Sequence, residues 1–160
     1  MSRALWISSL LLLLLATLAL GACGGGSGSG DVDKKNAYVR ELNAAQSDFR
    51  SSAEEVSKQR VPGENAGKVR VVQQLAAAID KLVATMRGIA VPGAVRAEHQ
   101  QLIHTMTGFR ADVQTLTLTF RAGDARKLRT GLAAFKAAQL QADTRVDATI
   151  AAINSKLTAS

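Results

Sequence analysis

VRAEHQQLIHTMTGFRADVQTLTLTF, residues 95–120, is the stretch that decides the fold. Its apolar residues Val95, Leu102, Met106, Phe109, Val113, Leu116 and Phe120 recur at alternating steps of three and four, and His99 fills the one remaining place in the series. A half-buried strand would alternate at every second residue. A period near 3.5 instead marks a helix packed along a coiled-coil-like seam.

The same spacing continues on both sides. Upstream run Tyr38, Leu42, Ala45, Phe49, Ser52 and Val56, then Val72, Leu75, Ile79, Leu82, Met86 and Ile89. Downstream the pattern is looser: Leu128, Leu132, Phe135, Gln139, Ala142 and Val146, then Ile150, Ile153 and Leu157. Between these runs stand Val61-Pro62-Gly63, Val91-Pro92-Gly93 and Ala122-Gly123-Asp124. Proline suits a first helical turn or the turn before it, glycine a helix end and aspartate an N-cap. Short connections turn consecutive helices back on one another. Residues 31–160 are therefore expected to form one all-α domain, an antiparallel up-down-up-down four-helix bundle.

Residues 1–30 read differently. Arg3 precedes nineteen uncharged residues from Ala4 to Ala22, six of them consecutive leucines from Leu10 to Leu15. A positive start, an apolar run and a small-residue exit make a secretory leader. Leu20-Gly21-Ala22-Cys23 resembles the lipobox at which a cysteine is acylated and the chain cut before it, giving a cleaved signal peptide over 1–22 and lipidation of Cys23. An uncleaved membrane anchor would leave the chain's one cysteine unexplained at that place. Two or more acyl chains hold a protein stably, where one does so marginally. Residues 23–30 are the lipidated cysteine and a tether of glycine and serine, with neither the lysine nor the preceding strand of a phosphate loop. The expected location is the cell membrane, lipid-anchored on its extracytoplasmic face.

Further pieces resemble a group of small helical lipoproteins of high-GC Gram-positive bacteria: Asn36-Ala37-Tyr38-Val39, Gln46-Ser47-Asp48-Phe49, and Pro92 followed by Glu98-His99 and Leu102. That resemblance implies a single-membrane envelope. It carries over no catalytic residue.

Enzymatic chemistry finds no constellation here. His99 and His104 point about 140° apart on one helix, so one metal ion cannot readily use both. There is no Glu-x-x-His pair of a di-iron bundle, no haem-attachment motif and no nucleophile elbow. The reading is of no enzyme, no cofactor and no metal site. His99 on the apolar stripe is expected to be a core histidine satisfied by a hydrogen bond. Its alternative role is as a small-ligand, metal or haem ligand in the bundle interior with Met86 or Met106.

Charge offers the other site. The chain carries +7 overall. The end holding Pro62 and Gly123, opposite the lipid, gathers Lys58, Arg60, Lys68, Arg70, Arg121, Arg126, Lys127 and Arg129 against Glu54, Glu55, Glu64 and Asp124. Lys58, Arg60 and Arg121 complement helix C-termini, but Lys68, Arg70, Arg126, Lys127 and Arg129 lie in early turns, where the helix dipole disfavours them. Those five are either a solvated face or a docking surface for an anionic envelope polymer or acidic protein. Nucleic acid is not expected, because no aromatics interleave with them for base stacking.

Counting from the turns predicts two layers. Phe49, Leu75, Phe109 and Phe135 should share one level; Tyr38, Met86, His99 and Val146 should share another, with the Tyr38 hydroxyl partnering His99.

Overall fold

The structure, a computed structural model, describes residues 29–59 and 65–159. These form four helices: α1 (Ser29–Lys58), α2 (Asn65–Gly88), α3 (Arg96–Ala122) and α4 (Ala125–Ala159), with a 3-10 turn at Gly93–Val95 leading into α3. No strand occurs among the described residues. The expected leader, Cys23, the expected tether up to Gly28, and the Pro62 turn with Arg60 and Glu64 lie outside them. Helix α1 begins two residues earlier than expected, taking in Ser29 and Gly30. Asp31 then falls in its first turn, where a carboxylate complements the positive end of the helix dipole.

The periodic residues form the core. Tyr38, Leu42, Ile79, Val95, Val113, Val146, Ile150 and Ile153 are at most 1% exposed. Phe109 and Phe135 stack with ring centroids 5.7 Å apart and planes 25° from parallel. The looser fourth pattern is visible in the packing: Leu128 and Leu132 are only partly buried against the core. Each helix packs on its neighbour in the chain, and α3 packs closely on both α2 and α4.

Two glycines are positional. Gly123 ends α3 at φ 68°, a left-handed conformation that side chains disfavour. At Gly131 a Cβ would stand 2.8 Å from Thr119 Cγ2, so its absence is what lets α4 approach α3 there.

The Phe49 level differs from the count. Phe49 lines a pocket with Ala78 and Leu82, one to two turns beyond Leu75, and Asp48 pairs with Lys81 at 3.8 Å. The α1–α2 pairing is therefore centred later in the chain than Pro62.

Candidate functional site

The basic end is built on the α3–α4 junction. Gly123 turns the chain, and the Asp124 carboxylate then caps α4: its Oδ1 accepts the backbone N–H of Arg126 at 2.8 Å and of Lys127 at 2.9 Å. Capping fixes the first turn of α4 and occupies one oxygen of the nearest acid. Arg126, Lys127 and Arg129 project from that turn, all exposed, and Arg70 on α2 and Arg121 at the end of α3 are exposed as well. The start of α2 closes on the same junction, with Asn65 Nδ2 3.6 Å from where a Gly123 Cβ would lie.

Lys68 does not belong with the free cations. It is half-buried, and its Nζ lies 5.9 Å from the centroid of the Phe120 ring, within cation–π range. The reason is visible in its number. Lys68 stands four before Val72 on the apolar stripe, so its stem runs along the core while the ammonium reaches out. Lys58 is engaged too, at 3.7 Å from Glu54 one turn back.

At the opposite end, α1 and α3 meet through side chains. His99, 3% exposed, accepts the Tyr38 hydroxyl at Nδ1 over 3.2 Å, with the two rings edge to face at 5.6 Å. Its Nε2 lies 2.9 Å from the Met86 carbonyl oxygen. A carbonyl only accepts, so Nε2 carries a hydrogen, and in the tautomer with that hydrogen alone Nδ1 is the acceptor. Met86 O is a last-turn carbonyl of α2 and also takes the Ile89 N–H at 3.2 Å. His99 thus supplies a donor to a helix end that lacks intrahelical ones. The expected Tyr38–His99 pairing is present; Met86 joins it through its backbone.

Neither ring nitrogen of His99 is turned to a vacancy, and Met106 is buried in the core. His104 is exposed. Among the described residues no three His, Cys, Asp or Glu side chains gather as a metal site. The Phe49 pocket holds about 10 Å³, room for one water rather than a ligand.

Several polar features were not anticipated. Lys156 pairs with Glu98 at 2.6 Å, and that hydrogen bond holds the Glu98 carboxyl below its ordinary range. Burial, with the Glu98 charge second, raises the Tyr38 phenol above its ordinary range. Arg110 Nε lies 3.1 Å from both carboxylate oxygens of Asp80. Asn43 Oδ1 and Asp143 Oδ1 are buried without a hydrogen-bond partner. Burial first, and Asp147 second, push the Asp143 carboxyl up to about 6. Only the Asp143/Asp147 spacing on one helix was a readable signal; the cross-helix partners require the packing.

Comparison with protein-family models, with curated proteins and with solved structures found no match.

Proposed function

We propose that this protein is a lipid-anchored, extracytoplasmic interaction module without enzymatic activity. Acylated Cys23 holds one end at the cell membrane, and the basic end reaches outward to an anionic envelope polymer or an acidic protein surface. The observation that carries the reading is the capped first turn of α4. It leaves Arg126, Lys127 and Arg129 each exposed within the first five residues of α4, Arg126 and Arg129 on one face a turn apart, while one oxygen of Asp124, the acid nearest them in sequence, is occupied by backbone N–H groups. Cations so placed sit against the positive end of a helix dipole, an unfavourable position that an anion held by their side chains would relieve.

The reading includes an antiparallel up-down-up-down order, which places the Gly123 junction and the leader at opposite ends. Cross-helix partners support it. Between α2 and α3 they are Lys68 with Phe120, Asp80 with Arg110 and Met86 with His99. Between α3 and α4 they are Glu98 with Lys156, Phe109 with Phe135 and Thr119 with Gly131. In both sets the number falls in one helix as it rises in the other.

Two measurements test the proposal. The N-terminal peptide of membrane-extracted protein should carry acyl mass on Cys23, and Cys23→Ser should leave an unprocessed, unacylated precursor. Binding to anionic wall polymer should weaken on reversing Arg126, Lys127 and Arg129 to Glu and on raising salt, since exposed charges are screened over about 8–10 Å at ordinary ionic strength. Unmodified Cys23 in membrane-bound protein overturns the anchoring; unchanged binding by the reversed protein overturns the docking role.

A further inference from the structure

The junction between α2 and α3 has its own charge pattern. Arg87 and Arg96 are both exposed, and the eight residues between them carry no charge. Ile89 and Val95 are buried and anchor the turn to the core, which leaves Ala90, Gly93 and Ala94 exposed at its tip. Neither arginine is in an ion pair among the described residues. The acid in the first turn of α3, Glu98, is held by Lys156.

The same end holds the start of α1. Tyr38 contacts His99, three residues into α3 from Arg96. Ser29 lies nine residues before Tyr38, about 14 Å along α1 at 1.5 Å per residue. Arg96 stands about 4.5 Å along α3 from the same contact, so the α2–α3 tip lies within about 10 Å of the level at which α1 begins. Five residues separate Cys23 from Ser29, and six residue steps reach at most about 20 Å fully extended. A lipid on Cys23 keeps this tip within reach of the bilayer surface.

We infer that the Arg87–Arg96 turn is a second membrane contact, seated on the anionic phospholipid headgroups around the anchor. The inference rests on the anchoring reading above. An uncharged tip of small residues can lie at headgroup depth without burying a charge, while the two guanidinium groups take lipid phosphates. The turn then limits the tilt of the bundle on its anchor and sets the basic end of the bundle away from the membrane.

The test is hydrogen exchange of the full chain, purified from membranes and reconstituted in vesicles of phosphatidylcholine alone or mixed with phosphatidylglycerol. Amides of residues 88–96 should exchange more slowly in the phosphatidylglycerol vesicles. That slowing should be lost in R87E/R96E and at high salt, and kept in R87K/R96K. A basic residue near an anionic leaflet contributes about 1 kcal/mol, a factor of about five, so losing both arginines should lower the docked-to-free ratio about 30-fold. Far-ultraviolet circular dichroism should show R87E/R96E as helical as the parent. Equal exchange in the two vesicle types, or slowing that survives R87E/R96E, overturns the inference. The same digests report the acyl mass on Cys23, so failure of anchoring is read independently of failure at the turn.

Discussion

Removing one hydroxyl, Tyr38→Phe, isolates the polar contact inside the core. In the parent, His99 Nδ1 receives its one hydrogen bond from Tyr38 at 3.2 Å, and both residues are buried, at 0% and 3% exposure. The phenylalanine keeps the ring and its packing and orphans the nitrogen. An unsatisfied buried acceptor costs about 1–3 kcal/mol. Because 3.2 Å is long for a hydroxyl donor, the lower part of that range is expected, about 1–2 kcal/mol. Denaturant unfolding should show the loss as a lower midpoint at unchanged slope. The cause is separated from general loosening by repeating the change in His99→Leu, where no nitrogen remains to be orphaned. Met86 O keeps the Ile89 N–H there, so that background leaves the α2 end with one partner. Tyr38→Phe should then cost clearly less, and the difference measures the coupling. Nitrogen NMR of the parent should find the hydrogen on Nε2. A loss under about 0.5 kcal/mol in the parent, or the same loss in both backgrounds, would refute the reasoning.

Other changes test other levels of the structure. Phe109→Ala removes a ring stacked on Phe135 and should cost about 3–5 kcal/mol in the same unfolding assay. At the α3–α4 junction, Gly123→Ala forces a Cβ into φ 68° and Asp124→Ala removes two capping bonds; each should cost about 1 kcal/mol. Asp143 sets a pH dependence. Its carboxyl is raised from an ordinary 3.8 to about 6, so between those values the folded chain binds more protons than the unfolded one. The contribution of this group to stability is full below about 4 and is lost as pH rises through 6. Asp143→Asn should flatten that part of the stability profile; an unchanged slope would show that the carboxyl does not titrate there.

Much of this architecture is legible in residue spacing. The steps of three and four place Val95 to Phe120 on one stripe, and Gly123-Asp124 announces both the end of α3 and the cap of α4. His99 and Tyr38 could be paired because each is the one residue of its kind on an apolar seam. The α1–α2 level was not legible. A count from Pro62 assumes a symmetric turn, whereas Asp48–Lys81 and Phe49–Leu82 depend on how far one helix slides past the other, and side-chain periodicity is insensitive to that. The Met86 carbonyl escaped for a related reason, since backbone acceptors leave no mark in a side-chain pattern. At the basic end, exposed Arg70, Arg126, Lys127 and Arg129 follow from polar spacing alone. Lys68 had a readable warning, its place on the stripe of Val72, Leu75 and Ile79.

The hydrogen bonds around His99 also bear on how the bundle would respond to force. A pull arriving from the N-terminal segment enters the described domain at Ser29, the first residue of α1. Where that pull acts across the helix axis, it does not shear α1 along its whole length against the other helices. It peels the helix away turn by turn. The first large buried side chain in its path is Tyr38, whose ring and hydroxyl are held by α3 through His99, and His99 in turn grips the end of α2 through Met86. A pull that displaced Tyr38 would therefore strain α3 and α2 at once, making this polar contact the latch at the loaded end. Drawn against an optical trap from residue 29, Tyr38→Phe would let the first turns of α1 open at lower force, while the Phe109–Phe135 layer farther along stays closed.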